Sequence, residues 1–387
     1  MEPRDLKFEV MNLRHVVWLV VFTLGIKAVY LLFSLAVDAR AENLYDQYVV
    51  LMKKNDAFWY EQIAVEGYRE IRVKEEIGYS KGKEYTQSSW AFFPFYPLLN
   101  RYTMQILGID YDLSALIWSL LFSLAALLAM YRFGCLFFND SNKGFFNALV
   151  VGCFPFAFYF SAFYTEALFL IFTLFGFLAV HFKRYLALSF LLIPLVLLRP
   201  NGLIVLLPLY LYHLEQRGLL SRFRLDWQGL WTRVNILRSL AFATGPLSFL
   251  IFCLYQYQMT GFYFAFSIAQ AGWYRKFMFP LLAFFRSGDL ATQFNSIFAI
   301  LVILFAFAMR KKLPLSFNVL VLLSLLMPLT SGSVTSMTRF VSVIFPLFLA
   351  FTTLVYPWKQ KWIVLGVLVL LHLFSFYGWM ANHPISF

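Results

Sequence analysis

The amino-acid sequence predicts an all-α polytopic membrane protein. Hydrophobic residues make up 61% of the 387 positions and only 13% are charged, about half the charged share usual in a soluble domain. Apolar runs of about 20 residues, the length of a helix that crosses a bilayer, recur along the whole chain. The Lys and Arg residues, which give a net charge of +12, sit in short clusters between those runs. That is the pattern of loops held at a membrane face, not of a nucleic-acid groove.

The first apolar run, His15–Val37, is long enough to span and has no small-residue cleavage site after it, so it is read as a span. Arg4, Lys7 and Arg14 precede it and place the N-terminus in the cytoplasm. A long polar segment, residues 38–111, then lies outside as the first extracytoplasmic loop of a single unit, 1–387. Spans Asp112–Tyr131, Phe145–Ala162 and Glu166–Phe182 follow. The stretch Leu186–Leu214 is interrupted by "RPNG" at Arg199–Gly202, where Pro and Gly together break a helix. Two short helices meeting at an outward turn are expected there. Spans Ser239–Tyr257, Leu290–Met309, Leu313–Thr330, Phe340–Tyr356 and Trp362–Met380 complete eleven. With eleven, the basic loops around Arg217, Arg222, Arg224, Arg310–Lys312 and Lys359 all fall inside. With an unbroken helix at Arg199, the later ones would flip outward. Cys135, Cys153 and Cys253 show neither CxxC spacing nor His partners and read as small buried residues.

The outer loop carries two short interfacial helices. In "NDAFWYEQIAVEGY", Asp56, Tyr60, Ile63 and Gly67 recur at spacings of three to four, with Asn55 as a candidate cap and Trp59, Tyr60 and Ile63 set at the bilayer boundary. In "FYPLLNRYTMQIL", Phe95, Leu98, Leu99, Tyr102 and Ile106 form an apolar stripe opposite Asn100, Arg101 and Gln105. Residues 70–89 are hydrophilic and read either as a solvated mobile loop or as a flap over a ligand. Asp56, Glu61, Glu166, Arg199, Asn201 and Arg339 all collect on the outer face, and polar residues that converge on one face of a membrane protein suggest a site. Lys53 and Lys54 are placed to offset the charge of Asp56. Lys27, in the middle of the first span, has no assigned partner.

Four stretches, in order, resemble the PIG-V-like mannosyltransferases, the family that adds the second mannose of GPI anchors. They are "NDAFWYEQIAVEGY" followed by "WAFFPFYPLL", then "FPFAFYFSAFYTEALFLIFTL", "LRPNGL" and "SMTRFVSVIFPLF". Asn55 stands where the family pattern has Trp, and the chain is compact, as bacterial members are. The resemblance implies a GT-C-type glycosyltransferase in a bacterial cytoplasmic membrane. It would move a sugar, mannose by inheritance from the family, from a polyprenyl-phosphate donor to a hydroxyl acceptor on a glycolipid, glycan or protein, with inversion at the anomeric carbon. Asp56 matches the acid expected early in the first outer loop.

Chemistry assigns the parts. An alcohol must lose its proton as it attacks, and a carboxylate within reach takes it, so Asp56 is the candidate general base. The leaving phosphate gains charge, which Arg stabilises through paired N–H groups; Arg199 and Arg339 are the candidates. For Arg339 the alternative is an interfacial anchor. Asn201 is a sugar ligand or a turn former. Glu166 is a sugar ligand, a partner of Asp56 or a helix-N-terminal acid. Tyr60, on the face of Asp56, and Trp273, which can stack on a sugar, complete the substrate-binding candidates. No metal-ligand spacing is visible, and a monophosphate leaving group needs no metal, so no cofactor is expected. The rival class is a multi-pass lipid or sugar transporter or flippase, which wants ionisable residues at mid-membrane and internal repeats.

Overall fold

The computed structural model describes residues 11–37, 42–82, 84–221, 224–285 and 288–386. Arg4, Lys7, Asp38 and Arg222, used above in the topology, lie outside the described residues. Regular structure is nearly all helical. Among the described residues the strands are confined to two small antiparallel hairpins, Tyr79–Lys81 with Glu84–Thr86 and Leu220–Ser221 with Arg224–Leu225.

Among the described residues five helices are long and apolar enough to cross a membrane: Leu13–Val37, Tyr111–Phe138, Arg233–Thr260, Leu290–Lys312 and Lys361–Met380. They turn apolar side chains outward: Leu24, Leu32, Leu301, Leu304, Ile363 and Leu370 are all more than half exposed. Water penalises such a surface and lipid does not. Shorter apolar helices, Glu166–His181, Tyr185–Leu198, Leu315–Thr330 and Phe345–Val355, pack among them. Rings pack the centre. Phe133, Phe177, Phe317 and Phe345 pair edge-on or tilted, for example Phe133 with Phe345 at 5.0 Å between centroids and Phe177 with Phe317 at 5.4 Å. These are the geometries that the aromatic quadrupole favours. Cys135, Cys153 and Cys253 are buried.

The helix ends sort into two poles. At one, the backbone N–H of Asn12 donates to Tyr131 Oη (2.9 Å), and Ser316 Oγ donates to Glu215 Oε2 (2.5 Å). At the other, Lys53 bridges Glu61 (2.8 Å) and Asp112 (2.6 Å), and Lys54 donates to the carbonyls of Trp379 (2.8 Å) and Met380 (3.2 Å). The connections at the first pole are basic, with Lys183, Arg184, Arg217, Arg310, Lys311 and Lys359. Most acids, among them Asp46, Asp56, Glu61, Asp110 and Asp112, gather at the second.

Three apolar stretches are broken. The Arg199 break is as expected: helices Tyr185–Leu198 and Asn201–Gln216 meet at Arg199 and Pro200. A Cβ on Gly202 would stand 2.0 Å from the Leu195 carbonyl oxygen, so only Gly lets the second helix start against the first. The other two differ from the continuous spans expected over Phe145–Ala162 and Phe340–Tyr356. Helix Ser141–Gly152 stops ahead of Pro155, and the chain continues through a 3-10 turn, Ala157–Phe160, to Glu166. A short helix, Met337–Val341, precedes Phe345–Val355, with Pro346 in its first turn. Pro lacks the N–H that a continuing helix needs. Irregular backbone inside a bundle must find other partners. Here side chains supply them: Ser119 Oγ donates to the Ser161 carbonyl (2.5 Å), the His372 ring bonds the Phe154 carbonyl (2.6 Å), and Lys27 Nζ donates to Ser161 Oγ (2.5 Å). Lys27 thus serves this segment.

The loop between the first two long helices forms a layer over the second pole. Besides the helices expected, Asp56–Val65 and Phe95–Leu107, it holds helix Leu44–Met52. Leu98, Tyr102 and Ile106 are exposed while Asn100 is fully buried, so the apolar stripe of Phe95–Leu107 faces outward, as an interfacial helix requires. Residues 70–89 are not free loop. Ile77 and Trp90 bury against Ala265 and Ala269, and the Tyr79–Thr86 hairpin lies beside them.

Replacing Gly202 with Val is expected to force the two half-helices apart. It should lower the yield of monodisperse protein in detergent and the unfolding midpoint, while Leu207→Val, at a half-exposed site, changes neither.

Candidate functional site

Asp56 is the first residue of helix Asp56–Val65. Asn55 occupies the capping position with φ +45° and ψ −105°, outside the left-handed helical region that Asn favours, and its side chain makes no capping hydrogen bond. Cap by side chain, as expected from the sequence, is therefore not what Asn55 provides. It turns the chain so that Asp56 enters the helix facing the bundle. Gly67, at φ +90°, turns the chain away after the helix.

The partner of Asp56 comes from far along the chain. Arg339 Nη1 donates to Asp56 Oδ2 at 2.5 Å, and Arg339 Nε donates to Glu166 Oε1. The same guanidinium lies 4.3 Å from the centroid of the Tyr164 ring. Glu166 has no exposed surface. It opens helix Glu166–His181, where the helix dipole favours an acid. Arg199 Nη1 stands 3.0 Å from Glu166 Oε1, within ion-pair range, yet its N–H is not aimed at that oxygen. Glu166 Oε2 and Arg199 Nη1 are both buried without a hydrogen-bond partner among the described residues. Two carboxylates and two guanidinium groups thus form one network across four segments of the chain.

The network is the wall of a cavity of about 720 Å³. Asp56, Tyr60, Arg199, Asn201, Trp273 and Arg339 line it, and Glu166 does not. Of the candidates, therefore, Glu166 is out of reach of a ligand and holds Arg339 instead. Tyr60 is 4% exposed, with its hydroxyl 3.5 Å from Thr165 Oγ1. Burial, with Asp56 adding to it, pushes the Tyr60 phenol up to about 12, so it stays neutral. Asn201 is the first residue of its helix and puts that N-terminus at the cavity. Trp273 packs edge-on to Trp59 (5.8 Å) and Phe92 (5.6 Å). From the segment before Trp90, Lys74 and Gly78 line the cavity, and the Glu84–Thr86 strand rests on the Trp273 segment: a Cβ on Gly272 would stand 2.2 Å from the Thr86 carbonyl, so backbone rests on backbone there.

Arg275 is not among the sequence candidates. It lines the cavity, half-buried, with its guanidinium 5.5 Å from the Phe340 ring centroid. Burial pulls it down to about 10, opposed by the Asp56 charge and reinforced by Arg339 and Arg199. It remains a cation at neutral pH. The only available signal was a charge among the aromatics of "GWYRKF".

Several expectations are corrected. Lys53 and Lys54 do not offset Asp56: Lys53 is engaged by Glu61 and Asp112, and Lys54 by the end of the last long helix, so Arg339 does the offsetting. Glu61 is accordingly paired, not simply solvated. Tyr60 and Ile63 are core residues, not boundary ones. Among the described residues no group of His, Cys, Asp or Glu has the arrangement to hold a metal ion.

Removing the Glu166 carboxylate leaves Arg339 and Arg199 as buried like charges. Glu166→Ala is expected to cost about 3–5 kcal/mol, the range for breaking a buried ion pair, read as a lower thermal midpoint in detergent, with Glu166→Gln intermediate. No family model matches the chain, and no curated protein matches its sequence.

Proposed function

We propose that the chain is a GT-C-type, inverting glycosyltransferase of a bacterial cytoplasmic membrane. It takes a sugar, mannose on the strength of the PIG-V-like resemblance, from a polyprenyl-phosphate donor and delivers it to a hydroxyl of a glycolipid, glycan or protein. The observation that carries the reading is Asp56: a carboxylate at a cavity wall, one oxygen tied to Arg339 and the other, Oδ1, without a hydrogen bond among the described residues. That oxygen is placed to take a proton.

In the proposed reaction the acceptor oxygen attacks the anomeric carbon and passes its proton to Asp56. The bond from that carbon to the phosphate oxygen breaks, and the electron pair leaves with the phosphate. Attack opposite the leaving group inverts the carbon. The phosphate gains charge as the bond breaks, and arginines at the cavity stabilise it more in the transition state than before. Tyr60, Asn201 and Trp273 offer a donor, a helix N-terminus and a ring to the sugar.

The charge distribution supports the orientation. Basic connections collect at the pole away from the cavity, which by the positive-inside rule is the cytoplasmic one. The cavity then faces outward and the N-terminus inward. Taking Arg199 as a break between two crossings, and the interrupted stretches 145–162 and 337–355 as one crossing each, the helix ends alternate between poles in keeping with eleven crossings.

Replacing Asp56 with Asn keeps the shape and removes the base. Sugar transfer from a polyprenyl-phosphate donor in proteoliposomes is expected to fall at least about a hundredfold. Full activity in that variant would refute the assignment.

A further inference from the structure

We propose that Arg275, helped by Arg199, holds the anion that the cavity receives, and that Arg339 is the positioning residue of Asp56 and not the anion's ligand. On the transferase reading, on which this identification rests, the anion is the phosphate of the lipid donor.

The charges around the cavity do not cancel. Asp56 and Glu166 balance Arg339 and Arg199, which leaves Arg275 over, with Lys74 and Lys276 as further cations on the lining. Among the described residues Arg275 has no carboxylate within ion-pair distance. It feels the opposite charge of Asp56 and, against that, Arg339 and Arg199 as like charges. A half-buried guanidinium beside two others is unfavourable until an anion joins it. Arg199 gives a second, independent sign. It is nine-tenths buried and lines the cavity, and its Nη1, 3.0 Å from Glu166 Oε1, makes no hydrogen bond among the described residues. A buried donor left empty is rare unless a ligand fills it. Arg199 and Arg275 also share one ring, at 5.9 and 5.5 Å from the Phe340 centroid. A phosphate ester suits two such forks.

Arg339 has no such freedom. Nε and Nη1 are given to carboxylates, and Tyr164 covers the guanidinium. Drawing it to a ligand would strand Glu166, which is wholly buried, without its hydrogen bond.

The sequence that follows Arg275 says which kind of phosphate. Phe277 is 92% exposed, and Phe279 and Phe285 stand out as well. A cation inside the cavity with an exposed aromatic lip beside it fits an amphiphile, its head on Arg275 and its hydrocarbon over the lip. A prenyl phosphate meets both conditions, and inorganic phosphate only the first.

The test is binding to the full chain in phosphatidylcholine nanodiscs. Three probes are used: geranylgeranyl phosphate, geranylgeraniol and inorganic phosphate. The wild type should bind the prenyl phosphate at least tenfold more tightly than either of the others. Arg275→Gln should weaken the prenyl phosphate at least tenfold and leave the alcohol unchanged, with Arg275→Lys in between. Arg72→Gln, at an exposed residue of the same pole, should bind as the wild type does. Wild-type affinity for the prenyl phosphate in Arg275→Gln overturns the proposal, as does an equal loss of alcohol and phosphate binding. Inorganic phosphate bound as tightly as the prenyl ester overturns the lipid part. Transfer assays separate the two readings. Arg275-dependent binding without sugar transfer sinks the transferase and leaves the seat. Transfer with an unchanged donor KM in Arg275→Gln sinks the seat and leaves the transferase.

Discussion

Glu166 is the charge on which the cavity pole of this bundle depends. It is fully buried, and a buried carboxylate is tolerated only with its counter-charges in place. Those counter-charges are Arg339 and Arg199, which arrive on different segments, and Arg339 in turn holds Asp56 from the first loop. One desolvated acid thereby sets the relative position of four pieces of chain. Within the network the Asp56 side chain is the most exposed, at 23%, against 10% for Arg199 and Arg339 and 0% for Glu166. Charge that is buried fixes geometry, and charge that is exposed is free for chemistry.

The broken helices follow from this constraint. The breaks let each guanidinium approach Glu166 from an interrupted segment. Arg199 reaches Glu166 from the gap between Tyr185–Leu198 and Asn201–Gln216, and Arg339 from a short helix set ahead of Phe345–Val355. The stretch between Gly152 and Glu166 is irregular too, and Ser119, Lys27 and His372 satisfy it from neighbouring helices. Lys27 belongs to that account. Its position at mid-helix would otherwise favour a transport pathway.

How far these features could be read in the sequence depends on how local their causes are. Pro200 with Gly202 announces a break by backbone chemistry alone, and the acid-and-aromatic run at Asp56 stands out against its apolar surroundings. Pro155 and Pro346 carried the same kind of signal and were read through, because the surrounding hydropathy dominated. The pairing of Asp56 was misassigned to the adjacent Lys53 and Lys54, since nearness in sequence is all a sequence displays. The true partner is 283 positions away. Glu166 looked like a ligand because nothing in its neighbours tells a cavity wall from a buried support. Arg275 was hidden for the converse reason: a basic residue at the end of an aromatic loop is ordinary, and its lack of a partner is a fact of three dimensions.

The account stands on transfer chemistry at Asp56, as opposed to movement of a lipid through the same cavity. The direct measurement is to reconstitute the purified chain, supply polyprenyl-phosphate sugars of known anomeric configuration with candidate hydroxyl acceptors, and determine the configuration of any glycoside formed by NMR. The expected result is a new glycosidic bond of inverted configuration, with one polyprenyl phosphate released for each. Intact donor moved across the bilayer with no new bond, or a product of retained configuration, would contradict it.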